Sequence, residues 1–81
     1  MLLRVTYFIA HRDAAGVDEE RIELPEGATV AALLEELVRR HPALAALARD
    51  TVVSVNKGVG SERTVLRDGD KVALIPPVSG G

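Results

Sequence analysis

Apolar and polar residues alternate from Leu2 to Ala10, with Leu3, Val5, Tyr7 and Ile9 on one side and Arg4, Thr6 and Phe8 on the other. This predicts a β-strand whose first set faces the core, because the second carries Arg and Thr. Phe8, the only Phe in the chain, then stands on the wetter side. His11 to Glu20 is polar with Gly16 inside, and reads as a loop with room for a helical turn. Arg21-Ile22-Glu23-Leu24 alternates again, with Ile22 and Leu24 inward, and Pro25-Glu26-Gly27 ends that strand. The two strands are expected to pair as an antiparallel hairpin with a long connection.

The period then changes. Val30, Leu33, Leu34, Leu37 and Val38 fall at i, i+3, i+4, i+7 and i+8, a single apolar stripe on a helix for which Thr29 is the natural N-cap. Glu35 with Arg39 and Glu36 with Arg40 are i,i+4 pairs in the favoured order, expected on a solvated face. Pro42 stops this helix and can open a short second one, with Leu44 and Leu47 as its apolar contacts. Thr51 to Val55 is β-branched and strand-like, and Asn56-Lys57-Gly58 supplies turn chemistry. Val59 to Leu66 is irregular, with a short strand expected at most over Thr64 to Leu66. Asp68-Gly69-Asp70 turns the chain into a last strand, Lys71 to Ile75, with Val72 and Leu74 toward the core and Ala73 and Ile75 away from it.

Two prolines follow that strand. Each fixes φ and lacks an N–H, so the ladder cannot run through Pro76-Pro77, and Val78-Ser79-Gly80-Gly81 adds almost no width beyond them. Six residues from Pro76 onward, fully extended, reach roughly 20 Å. The chain therefore divides into a domain, 1–75, and a slim diglycine tail, 76–81, long enough to place a carboxylate inside another protein. The bland alternative is a frayed terminus, which most domains have.

Composition narrows the chemistry. Eighty-one residues make one small domain, and a 47% hydrophobic content with one Tyr, one Phe and no Trp makes an aliphatic core. A formal charge of −2 argues against a nucleic-acid surface, and no apolar run approaches a membrane span. No basic region followed by a long apolar stretch opens the sequence, so a cytoplasmic location is expected. With no cysteine there is no disulfide, thiol nucleophile, thiolate metal site or iron–sulfur cluster. Any sulfur this chain handles must ride on something other than its own thiol, and the terminal carboxylate is the available attachment point.

His11 and His41 stand apart in sequence with no second ligand at metal spacing, so no metal site is expected. Asp68-Gly69-Asp70 has part of a calcium-loop pattern but lacks its glutamate and spacing, and is better read as a turn. Ser79 has no neighbouring base, and the glycines form no phosphate-cradling loop. The residues describe a presented terminus rather than an active site of the chain's own.

Asp68-Gly69-Asp70-Lys71-Val72-Ala73 followed by Pro76-Pro77-Val78-Ser79-Gly80-Gly81 resembles the C-terminal signature of the small subunit of molybdopterin synthase, the MoaD branch of the ubiquitin-like sulfur carriers. Tyr7-Phe8, Arg12-Asp13, Ala15-Gly16, Leu24-Pro25-Glu26-Gly27-Ala28-Thr29-Val30 and Val55-Asn56 extend the likeness across the chain. The order of elements agrees: an α+β, ubiquitin-like β-grasp fold, a mixed sheet with one main helix on one face plus a short second helix. In that fold the first and last strands are central parallel neighbours, so Phe8 and Ile75 share the face opposite the helix. Nothing in the chain is left to cover that face, which suggests a partner.

The resemblance implies a non-catalytic subunit that binds no cofactor. An adenylating, sulfur-loading enzyme (MoeB-like) would use ATP to activate the Gly81 carboxylate, and a persulfide sulfur donor would convert it to a thiocarboxylate. The tail, Pro76, Pro77, Val78, Ser79 and Gly80, would then insert into the large catalytic subunit (MoaE-like). There the sulfur would pass to a cyclic pyranopterin to build the molybdopterin dithiolene. Positions matching Phe8, Val59 and Ile75 would pack on that partner. Asn56-Lys57-Gly58-Val59-Gly60 is richer in glycine than the pattern, and Ile75 takes a place often held by an aromatic. A diglycine alone also fits a thiamine-pathway sulfur carrier or a ubiquitin-like modifier, whereas a plain β-grasp interaction module would need no such end.

Overall fold

The computed structural model describes residues 1–76. In chain order these form β1 (Leu2–Tyr7), α1 (Ala10–Ala15), β2 (Glu19–Glu23), α2 (Val30–Arg40), two 3₁₀ turns (Pro42–Ala46 and Ala48–Asp50), β3 (Val52–Val55), β4 (Gly58–Val59) and β5 (Lys71–Ile75). The strands make one mixed sheet in the order β2-β1-β5-β3-β4. β1 and β5 are its parallel centre, with Val5 opposite Val72 and Tyr7 opposite Leu74; β2, β3 and β4 join antiparallel.

Strand alternation decides which side chains enter the core. Leu3, Val5 and Tyr7 of β1, Val72 and Leu74 of β5, Ile22 and Val53 are all buried, and meet Val30, Leu33 and Leu37 of α2 together with Leu44 and Leu66. Each such aliphatic side chain contributes about 1.5–3 kcal/mol by leaving water. The Thr29 hydroxyl caps α2 by accepting from the Ala32 N–H at 3.3 Å. The next orphan donors find the loop before β5: Val30 N–H bonds Thr64 O at 3.0 Å and Ala31 N–H bonds Glu62 O at 3.1 Å.

Several expectations give way to geometry. β1 ends at Tyr7, because Ile9 takes φ 50° and turns the chain out of the sheet; Ile9 is 67% exposed and no core residue. The following segment is a helix, burying His11 and Ala15 one turn apart, and Gly16 closes it in the left-handed conformation at φ 79°. β2 begins at Glu19, two residues earlier than expected, and leaves Leu24 half-buried beyond its end. On α2 only Val30, Leu33 and Leu37 are buried, while Leu34 and Val38 are half-buried at the edge of the stripe.

The expected Glu35–Arg39 pair is replaced. Glu36 takes both arginines, Arg39 at 2.6 Å and Arg40 at 2.7 Å. Hydrogen bonds from Arg39 and then Arg40 pull its carboxyl down to about 2. Asn56 and Lys57, both at positive φ, make a two-residue hairpin turn, so a short strand starts at Gly58. Thr64–Leu66 forms no strand, though Val65 makes a single bridge to Thr29. No helix among the described residues is long and apolar enough to cross a membrane.

Candidate functional site

The sheet face away from α2 carries the predicted partner residues. Phe8 extends the parallel pairing of β1 and β5, its N–H donating to Leu74 O at 3.2 Å, which aligns it with Ile75. Ile75 in turn faces Val52 across β3. Phe8, Ile75 and Val52 therefore make one apolar row over three adjacent strands, with Phe8 45% exposed and Val52 37%. One step down the strands lies a second row, Thr6, Ala73, Ser54 and Val59. Val59, 89% exposed, thus shares the face with Phe8 and Ile75 at the far edge of the sheet. Val52 was legible as part of this row, since its β-branched strand alternates with buried Val53, but its register against Ile75 was not.

The tail departs from the same end of the sheet. β5 stops at Ile75, and Pro76 lies half-buried just beyond it. The remaining residues assigned to tail insertion and chemistry, Pro77, Val78, Ser79, Gly80 and Gly81, lie outside the described residues.

Two polar clusters brace the core side of this end, and each corrects the picture of isolated histidines. His11 is 1% exposed, with Nε2 2.7 Å from the Thr51 hydroxyl. That hydroxyl donates to Leu47 O at 2.7 Å, so it accepts from His11, and the imidazole carries its proton on Nε2. Nδ1 has no partner. Burial lowers the His11 pKa, against a smaller upward pull from the Phe8 carbonyl. A buried His–Thr contact looks like a base beside a nucleophile, but here the proton runs the wrong way: the imidazole gives it and the hydroxyl passes its own to a carbonyl.

The second cluster is Tyr7, Glu20 and His41. One oxygen of Glu20 accepts from the Tyr7 hydroxyl and from His41 Nε2, the latter at 2.7 Å. The two rings meet edge-on with centroids 6.0 Å apart. Burial, then the hydrogen bond and charge of Glu20, push the Tyr7 phenol far above its ordinary value. This ties β1, β2 and the end of α2 together. Neither cluster opens toward the exposed apolar row, and neither places an activated nucleophile there.

A five-stranded mixed sheet with a parallel centre, one long helix on one face and, among the described residues, nothing on the other defines a ubiquitin-like β-grasp protein. The chain belongs to the ThiS family, whose model matches residues 5–81. It is 40% identical over 83 aligned residues to the molybdopterin synthase sulfur carrier subunit of Chlamydomonas reinhardtii, covering 100% of both chains. Among solved structures it is similar to a Pyrococcus furiosus protein described as molybdopterin converting factor, subunit 1, at 41% identity and TM-score 0.89, over 96% of this chain and 99% of that one. It is also similar to the small archaeal modifier protein 1 of Haloferax volcanii, at 28% identity and TM-score 0.84, over 95% and 98%.

Proposed function

We propose that this chain is the sulfur carrier subunit of a molybdopterin synthase, with a β-grasp domain, 1–75, that docks and a tail, 76–81, that reacts. The observation that carries the reading is positional: the exposed row Phe8, Ile75 and Val52 flanks the point where β5 ends. A partner bound on that row would receive whatever follows Pro76. The whole-length relatives named as sulfur carrier subunits support the same assignment.

The chemistry is the one that the resemblance to the sulfur carriers implies, and it agrees with a chain that has no cysteine to carry the sulfur. A carboxylate is a poor electrophile, so the Gly81 oxygen first attacks the α-phosphate of ATP on an adenylating enzyme, releasing pyrophosphate. The acyl-adenylate then loses AMP to the terminal sulfur of a persulfide, and a thiol cleaves the resulting acyl disulfide to leave a thiocarboxylate. That sulfur is the nucleophile delivered to the pyranopterin in the large subunit, with two transfers completing a dithiolene. The catalytic side chains belong to the partners. Phe8, Val59 and Ile75 hold the domain in place, and Gly80 keeps the reacting end slim.

The test incubates the protein with its adenylating enzyme, ATP and a sulfur donor, and reads intact mass. The expected product has one oxygen replaced by sulfur on the C-terminal peptide. Deleting Gly81, or adding one residue after it, should leave folding within about 0.5 kcal/mol of wild type yet abolish pterin sulfuration. Sulfuration retained without Gly81 would end the proposal. Similarity to a small archaeal modifier protein supports a second reading, conjugation of Gly81 to a target lysine. Isopeptide-linked products in the native host, with no thiocarboxylate, would favour it.

A further inference from the structure

The open face of the sheet holds a third row that neither the core nor the apolar contact explains. Arg4 of β1 lies directly opposite Arg21 of β2 and directly beside Lys71 of β5. Three exposed cations thus stand in one register on three adjacent strands, their backbones within about 10 Å. Like charges placed opposite each other destabilise a sheet. Arg4 has Glu19 at 3.2 Å, while Arg21 and Lys71 have no acidic partner within ion-pair distance among the described residues. This occurs in a chain whose net charge is −2. Shallow grooves flank Lys71 on both sides, one of about 210 Å³ bordered by Leu2, Arg4 and Arg21, the other of about 340 Å³ bordered by Thr6, Ser54 and Lys57.

The row lies about 13 Å down the strands from Phe8 and Ile75, on the same side of the sheet. The whole open face, five strands wide and six residues long, outlines only about 400 Å². A stable interface covers about 800 Å² on each partner. A protein that uses this face from Phe8 onward extends over Arg4, Arg21 and Lys71 as well, and covering Arg21 and Lys71, which have no acidic partner among the described residues, is unfavourable unless the partner supplies the opposite charge.

We propose that Arg21, Arg4 and Lys71 form the electrostatic half of the docking face and receive a strip of carboxylates on the large subunit that accepts the tail. The inference rests on the sulfur-carrier reading and adds to it the charge of the partner surface and the orientation it imposes. The apolar row fixes one end of the complex and the cationic row fixes rotation about it.

The experiment measures association and dissociation of the full chain with the cognate large subunit, at low and high salt, for wild type and Arg21→Glu/Lys71→Glu. Both positions are exposed and, among the described residues, unpaired, and each Glu would face Arg4, so a circular dichroism melt should come at or slightly above that of wild type; Arg21→Gln/Lys71→Gln is the milder companion. The charge-reversed protein should associate about tenfold more slowly at low salt, with dissociation changed far less. The gap should close at high salt, where screening shortens to a few ångströms. Wild-type rates in both variants at low salt would overturn the proposal and leave the sulfur carrier standing. No association by wild type itself would bring down both. Unchanged large-subunit rates with lost retention of a single-stranded oligonucleotide would assign the row to phosphate and overturn the proposal.

Discussion

Tyr7 offers a direct measurement of how the core is held at the end of the sheet where β5 stops. It is the only Tyr, and there is no Trp, so tyrosinate absorbance reports this one side chain. The residue is 2% exposed and its hydroxyl donates to Glu20. Burial and the adjoining carboxylate both oppose ionisation, raising the folded pKa far above the unfolded value of 10.0. A group with a raised folded pKa gives its full stabilisation below the unfolded pKa and loses it as pH rises beyond. Between pH 10 and about 12 the wild type should therefore lose about 2.3 kcal/mol from this group alone, the slope rising toward about 1.4 kcal/mol per pH unit as the unfolded phenol ionises.

Tyr7→Phe removes that dependence along with the hydrogen bond. Hydrogen bonds to charged groups are worth about 1.5–3 kcal/mol, and Glu20, which keeps His41 and some solvent, places this one near the lower end. The variant should thus be about 1.5 kcal/mol less stable at neutral pH and should meet wild type near pH 11. Urea denaturation followed by circular dichroism across that range is the assay. A constant difference at every pH, or tyrosinate appearing with a midpoint near 10 in protein that is still folded, would refute the argument.

The other substitutions separate layers of the molecule. Leu37→Ala, at a 1% exposed position, should destabilise by about 2–5 kcal/mol, and the half-buried Leu34→Ala by visibly less; equal midpoints in a denaturant titration would mean α2 does not pack through this face. Glu36→Gln should remove part of the resistance to acid. Its carboxyl is held at about 2, so its stabilisation is full above the unfolded value of 4.5 and fades as pH falls toward 2, where wild-type and variant melting temperatures should converge. Phe8→Asp should weaken large-subunit binding by about 2 kcal/mol or more in calorimetry while the melt barely moves, and a matched loss of both would place Phe8 in the core.

Short-range pattern carried most of the fold. The period-2 runs of β1 and β5 separate Val5 and Tyr7 from Phe8, and Val72 and Leu74 from Ile75, because successive side chains in a strand must oppose each other. Thr29 and the 3.6-residue stripe after it located α2 for an equally local reason. What escaped was settled by contacts distant in sequence or by single backbone angles. His11 meets Thr51 forty residues away, and Glu20 meets both Tyr7 and His41, so no spacing within a window could show that the histidines are partnered. α1 is six residues long and buries only two side chains, too little for a periodic signal. Its start depends on Ile9 at positive φ, a conformation that a β-branched residue gives no reason to expect. The basic row is equally non-local: Arg4, Arg21 and Lys71 are ordinary solvated positions until the register sets them side by side.

That register ties stability to the docking proposed for the open face. Tyr7 and Phe8, Leu74 and Ile75, and Val53 and Val52 are consecutive pairs with one member in the core and the other on the open face. Substituting an outer member leaves the core untouched, which is why Phe8 can be reversed in character at little expense to folding. A slip of one residue between β1 and β5 would exchange the two sets together, burying Phe8 and Thr6 and exposing Tyr7 and Val5. The Phe8 N–H to Leu74 O bond and the Val52–Ile75 pairing hold against this at the very end from which the tail departs. The reach of six residues, at most about 20 Å, is then measured from a fixed post. An insertion of one residue after Ile75 should accordingly impair sulfur transfer even with Phe8, Val59 and the cationic row intact, because it moves the carboxylate about 3 Å relative to a docked domain. The same insertion should leave the rate of binding to the large subunit unchanged.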